Sequence, residues 1–123
     1  MDRPPLHAEA LHVNSSYLTA VANDYDFSEV YARAVLAQGK PNDVLIGISA
    51  SGNSPNIVKA LEQGKKLSMH TIALTGSSAC KISEVADICL RSPSADIPRI
   101  QEFHIFFGHT ICLLIEQALF GGK

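Results

Sequence analysis

The segment Ser49-Ala50-Ser51-Gly52-Asn53-Ser54 places three hydroxyls and a glycine within six residues. It follows the apolar run Val44-Leu45-Ile46-Gly47-Ile48 and precedes Pro55, a residue favoured in the first turn of a helix. A loop between a strand end and a helix start offers unpaired N–H groups and the positive end of the helix dipole, and both suit an anion. In open α/β sheets, ligands bind beyond the carboxyl ends of the strands. The serines add neutral donors, and Gly52 lets the backbone come close to a ligand. The loop contains no lysine, so it matches neither the Walker loop nor the dinucleotide fingerprint. Such a donor set suits a monophosphate. Two other readings of the same residues stay open. One is an ordinary helix-capping loop. The other is a serine nucleophile, since Gly47-Ile48-Ser49-Ala50-Ser51 approaches G-x-S-x-G but lacks its second glycine.

The elements that must position this loop follow from pattern. Arg3-Pro4-Pro5 reads as an extended lead-in, and residues 6–13 as a weak strand ending at the capping cluster Asn14-Ser15-Ser16. A short helix is predicted over 17–22. Asp26 and Glu29 have capping-box spacing ahead of a helix over 27–38, which Gly39 stops. The run 44–48 reads as a strand buried on both faces, followed by the serine loop and a helix to residue 67. A second buried strand over 70–74 leads to Thr75-Gly76-Ser77-Ser78, a short helix over 80–85 and a third strand over 87–91. Residues 92–98 read as a loop. The last helix is predicted over 99–119, stopping before Gly121-Gly122. Alternating short strands and helices imply an α/β class with a parallel sheet. The last helix is apolar nearly all round, as expected of a helix buried in a subunit interface.

With 123 residues, 46% of them hydrophobic and 18% charged, the chain suits one soluble domain. A net charge of −2 gives no basic footprint for nucleic acid or a membrane surface. No apolar run long enough to span a bilayer and no secretory leader stand out; three cysteines, an odd number, suit a reduced cytoplasmic protein. Cys80, Cys89 and Cys112 are odd in number and match no zinc or redox spacing. Cys89 and Cys112 are expected in the core.

The segment 48–54 resembles the signature loop of the sugar isomerase (SIS) domain. The stretches Ala20-Val21-Ala22-Asn23-Asp24-Tyr25-Asp26-Phe27, Ala73-Leu74-Thr75-Gly76 and Arg99-Ile100-Gln101-Glu102-Phe103-His104 extend the likeness to the phosphoheptose isomerases, in the same order. The resemblance implies a flavodoxin-like three-layer α/β/α fold, with 1–123 as one partial SIS domain that lacks the N-terminal helices and first strand. It implies isomerisation of sedoheptulose 7-phosphate to D-glycero-D-manno-heptose 7-phosphate, a homotetramer and a zinc ion. By the same resemblance, Ser49, Ala50, Ser51 and Ser54 match phosphate-binding positions, and Asn23 and Asp24 match substrate contacts. Gln101 matches a substrate contact and a metal ligand. His109 matches a metal ligand and a catalytic acid/base, a role suited to imidazole near neutral pH. Asp24 would orient or polarise a substrate hydroxyl.

Two departures stand out. The family's Gly-Asn-Gly-Gly-Ser-type loop and its helix bearing a metal-binding His and a catalytic Glu have no counterpart here, and His7, Glu9 and His12 do not replace them. The zinc ligand set is therefore incomplete, and weak or absent activity is expected of this chain alone. Pro98 stands where the family often has Asp. His104 and His70 are expected to serve packing. The ending, with Leu114-Ile115-Glu116 and Leu119-Phe120, also resembles non-catalytic SIS-domain regulators that bind a replication initiator protein. His109 favours the enzyme reading.

Overall fold

The computed structural model describes residues 2–121. Three parallel strands, β1 (Val44–Ile48), β2 (His70–Thr75) and β3 (Ile88–Arg91), lie side by side in the order β1-β2-β3. Val44 pairs with His70 and Ile72 with Ile88, so all three strands end near the same edge of the sheet. The helices are α1 (Ser15–Asp24), α2 (Val30–Gln38), α3 (Pro55–Lys66), α4 (Lys81–Val85) and α5 (Ile97–Phe120). This is the expected α/β class with a parallel sheet.

Local chemistry explains most boundaries. The Asn14 side chain caps α1 by accepting the Tyr17 N–H at 3.0 Å, which extends the helix at both ends beyond the predicted 17–22. Asp26 accepts from the Ser28 N–H at 2.8 Å and starts a single 3-10 turn, Phe27–Glu29, ahead of α2. The predicted single helix over 27–38 is thus two elements. Glu29 does not complete a capping box, because its carboxylate is drawn to Lys59 on α3. Pro55 opens α3, where its missing N–H costs nothing. Pro98 likewise sits in the first turn of α5, so the helix begins at Ile97 rather than Arg99 and shortens the predicted loop. Gly121 caps α5, and Gly122 lies outside the described residues.

The core lies between one face of the sheet and the layer of α2, α3 and α4. Leu61, Ala73, Cys80 and Ile82 form one buried cluster, with Leu45, Ile57 and Cys89 packed against it. Val35, Ala60 and Met69 form a second where α2 meets α3. The opposite face is open. Val44, Ile46, Ile48 and Ile88 are each 43–58% exposed. The expectation that β1 is buried on both faces is therefore incorrect for this chain. β1 is an edge strand, and α5 meets the sheet chiefly at β2.

Other expectations also need correction. Residues 6–13 form no strand. They run irregularly into a turn, because no described strand pairs with them. The lead-in is held instead by Arg3, whose guanidinium bonds Glu116 at 2.6 Å and lies 5.6 Å from the Phe120 ring centre. Cys112 is exposed, not in the core, and Cys89 is half-buried. α5 needs no such correction: within one chain only Ile100 and His104 are enclosed, as expected of a helix that a single small domain cannot bury. By length and composition α5 could cross a bilayer, so the expectation that no such run exists is also corrected.

Asp87 turns away from β3 to close the far end of the sheet. One carboxylate oxygen accepts from both the N–H and the hydroxyl of Thr71 at 2.8 Å, and the other accepts from Lys65 at 2.8 Å. The Thr71 hydroxyl in turn accepts the Asp87 N–H at 3.0 Å. Thr71 is fully buried, so this ring satisfies groups that would otherwise be costly to enclose. The Lys65 ammonium, followed by the two Thr71 donors, holds the Asp87 carboxyl well below the usual carboxylate range. A depressed folded-state pKa contributes stability above the unfolded value, about 4, and loses it as pH falls further. Asp26 and Glu116 are shifted in the same direction. The denaturant midpoint is expected to fall between about pH 5 and pH 2. Asp87→Asn should lower the midpoint at neutral pH and flatten that fall, measured by urea titration across the range.

Candidate functional site

The 49–54 loop joins the carboxyl end of β1 to the N-terminus of α3. It is held first by its own backbone. The Ser49 N–H donates to the Leu74 carbonyl at 3.0 Å, and the Gly76 N–H donates to the Ala50 carbonyl at 3.2 Å. Both bonds tie the loop to the end of β2. Gly52 adopts φ 67°, the left-handed region that glycine reaches without strain. A side chain at Gly52 would also overlap the Cys80 sulfur.

The serines converge. Ser49 Oγ lies 3.0 Å from Ser54 Oγ and 3.5 Å from Ser51 Oγ. Two hydroxyls are already used as acceptors: Ser49 Oγ takes the Gly52 N–H at 3.1 Å and Ser51 Oγ takes the Asn53 N–H at 3.2 Å. A hydroxyl that accepts from the backbone keeps its own hydrogen free to rotate towards another acceptor. Ser54 stands at the N-cap of α3, yet its side chain makes no capping bond there. The start of α3 therefore keeps its positive character beside the serine hydroxyls. Ser49 is buried, Ala50 and Ser54 are half-buried and Ser51 is exposed, giving a floor and an open mouth.

A cavity of about 250 Å3 opens beside this loop. Ala50 and Ser51 form one wall, the 75–78 loop a second, and Ile97 and Ile100 at the start of α5 a third. In the sequence Thr75-Gly76-Ser77-Ser78 reads as the close of β2, with Thr75 and Gly76 also in the SIS-like stretch, and not as a wall of the site. Its position after a parallel strand was the available signal, because such loops share the carboxyl edge of the sheet. The Ser77 N–H donates to the Ser94 carbonyl at 3.2 Å, joining this wall to the lead-in of α5. Cys80 lies beneath. Burial raises its thiol pKa, but hydrogen bonds with Thr75 and Ser83, together with Arg91, bring it below the ordinary value.

The remaining predicted residues stand apart from the cavity wall. Asn23 and Asp24 are exposed at the end of α1, where Asn23 Nδ2 donates to Asp24 Oδ1 at 3.0 Å. Gln101 and His109 are exposed on α5. They are eight residues apart on one continuous helix, about 12 Å of rise. A shared ion would require both side chains to lean together and further ligands from elsewhere. Among the described residues, no group of three or more His, Cys, Asp or Glu side chains is placed to hold a metal. These residues do not make a closed zinc site by themselves. His104 is buried, and its Nε2 has no hydrogen-bond partner among the described residues. His70 is exposed at the start of β2.

Three comparisons bear on this arrangement. The SIS domain family model matches residues 1–76, which include α1, the serine loop, α3 and β2. A phosphoheptose isomerase of Mycobacterium bovis (strain BCG / Pasteur 1173P2) is 50% identical over 122 residues, covering 99% of this chain and 62% of that protein. One of Rhodospirillum rubrum is 48% identical over 118 residues, covering 96% of this chain and 63% of that protein. The solved structure of a phosphoheptose isomerase from Francisella tularensis superposes with a TM-score of 0.91 at 43% identity, over 94% of this chain and 62% of that one. This chain thus spans a little over three fifths of the length of the relatives it matches. With its serine loop set between a parallel strand and a helix, and the family model covering that loop, the chain belongs to the SIS domain family.

Proposed function

We propose that this chain grips the phosphate end of a sugar phosphate as part of an aldose–ketose isomerase of phosphoheptose isomerase type. The reaction would convert sedoheptulose 7-phosphate to D-glycero-D-manno-heptose 7-phosphate. The observation that carries the reading is the convergence of the Ser49, Ser51 and Ser54 hydroxyls at the N-terminus of α3, where the Ser54 side chain makes no capping bond. The names of relatives at about half identity support the substrate.

Isomerisation moves a proton between neighbouring carbons through an ene-diol, while a second group moves the oxygen's proton. His109 takes the acid/base role in this reading. Asn23, Asp24 and Gln101 hold sugar hydroxyls, with Asp24 orienting or polarising one of them. Ser49, the Ala50 backbone, Ser51 and Ser54 hold the phosphate. Zinc enters only as an ion that Gln101 and His109 would share with ligands outside the described residues, and it would supply Lewis acidity near the substrate oxygens. The setting is cytoplasmic. The regulator reading rests on the ending of α5, and no feature of the geometry favours it over the isomerase.

The assembly proposed is a homotetramer in which α5 is an interface helix. Phe106, Leu113, Leu114 and Leu119 are 55–60% exposed along it, more apolar surface than an isolated domain normally shows. Light scattering is expected to give a multiple of the 13.2 kDa chain mass, and a monodisperse monomer would contradict the interface.

Calorimetric titration should show binding of sedoheptulose 7-phosphate. Ser49→Ala and Ser51→Ala should each weaken it by about tenfold, the worth of one hydrogen bond to a charged group. Where turnover is measurable, His109→Ala should lower kcat by at least about a hundredfold and change KM little. Absence of sugar-phosphate binding would remove the reading.

A further inference from the structure

The serine loop is fastened to the first turn of α4 as well as to β2. The Gly52 carbonyl accepts from the Ile82 N–H at 3.0 Å. The next residue makes a second tie through its side chain. Asn53 Oδ1 accepts from the Lys81 N–H at 3.1 Å, and Asn53 Nδ2 donates to the Ser51 carbonyl at 3.1 Å. The Asn53 backbone N–H meets the Ser51 hydroxyl at 3.2 Å. One residue thus touches Ser51 at two atoms and reaches across 28 residues of sequence to α4. Both functional ends of the amide are engaged within the protein.

The need for such a tie is physical. Ser51 is the exposed member of the serine trio, whereas Ser49 is enclosed and Ser54 begins a helix. Its direction depends on the peptide on either side of it. Gly52, with its left-handed φ, gives that peptide freedom to rotate. Asn53 removes the freedom by clamping the Ser51 carbonyl on one side and α4 on the other.

We propose that Asn53 is a positioning residue for the phosphate grip: it aims the Ser51 hydroxyl by locking the loop to α4, and does not itself bind the ligand. The inference rests on the sugar-phosphate reading above and adds to it a residue outside the serine set.

The test uses inorganic phosphate as the probe. Phosphate affinity of the full chain is measured by calorimetry, and amide hydrogen exchange is followed at Lys81 and across strand β2. Asn53→Ala should weaken phosphate binding by about tenfold. It should also speed exchange at Lys81 while leaving the β2 amides protected. Asn53→Asp, which keeps an acceptor for the Lys81 N–H, should leave that amide slow. Unchanged phosphate affinity in Asn53→Ala overturns the role, as does weakened affinity with Lys81 still fully protected, which would mark a direct ligand contact. Loss of protection in β2 as well would make Asn53 a general stabiliser and also overturns it. If the unsubstituted chain takes up no phosphate, the sugar-phosphate reading falls and this role with it. Phosphate uptake that Asn53→Ala leaves intact removes the role of Asn53 alone.

Discussion

The position of the serine loop depends on how closely α3 lies on β1. Two glycines, one on each element, set that distance. A Cβ on Gly47 would stand 2.9 Å from a methyl of Ile57 and 3.1 Å from those of Leu61, and a Cβ on Gly64 would stand 2.9 Å from a methyl of Leu45. A larger residue at either position would lift the helix from the strand, because a packed core yields little to an added methyl. The helix then carries its N-terminus to a fixed point above the end of β1. Six residues must bridge that gap, and their hydroxyls converge because the two anchor points are close. Leu61, fully enclosed beneath the helix, supplies the apolar burial that keeps the two elements together.

The 49–54 loop carries no cationic side chain of its own. Lys59 lies one turn into α3, but its ammonium is occupied by Glu29 and the Ser28 hydroxyl on the 3-10 turn. That pairing serves the fold, anchoring the segment after α1 against α3. On the proposed reading an anion would be held chiefly by the serine hydroxyls, since Pro55 has no N–H and the Ile57 N–H already donates to Asn56 Oδ1 at 3.0 Å. Such donors are directional, so they discriminate by shape more than by charge. On the proposed reading the orientation of each serine matters, and the backbone donations from Gly52 to Ser49 and from Asn53 to Ser51 would bear on binding as well as on loop stability.

The serine loop and its place between β1 and α3 were legible in the sequence because every part of the arrangement is local. An apolar run, a serine-rich hexapeptide and a proline at the helix start occur within a dozen residues, and each has a meaning that does not depend on the rest of the chain. Most strands and helices were legible for the same reason, with boundaries moved where Asn14 capped α1, where Asp26 started a 3-10 turn and where Pro98 entered the first turn of α5. What could not be read was long-range. The ring of Thr71, Asp87 and Lys65, and the bond from Lys81 to Asn53, join residues far apart in sequence with no local periodicity to announce them. The expectation that β1 is covered on both faces failed differently. An apolar run reports that a strand can be buried, not which element buries it. Residues 6–13 carry suitable strand residues, but pairing requires a neighbour, and no described strand supplies one.

The open apolar surfaces and the scattered polar residues are linked through α5. Gln101, Ile105 and His109 recur at intervals of four and share one stripe of the helix. All three are exposed, Ile105 by 65%. A surface that covered Ile105 would therefore also enclose Gln101 and His109, and would change what those side chains can do. In water an exposed histidine and an exposed glutamine exchange their partners freely, whereas an enclosed pair must be satisfied by a ligand or by a neighbouring polar group. The serine cluster needs no such covering, since Ser49, Ser51 and Ser54 are already brought together within the chain. The proposed binding and chemistry are thus separable by structure: the serine cluster is set by one loop and its anchors, whereas the surroundings of Gln101 and His109 depend on whatever comes to lie against α5.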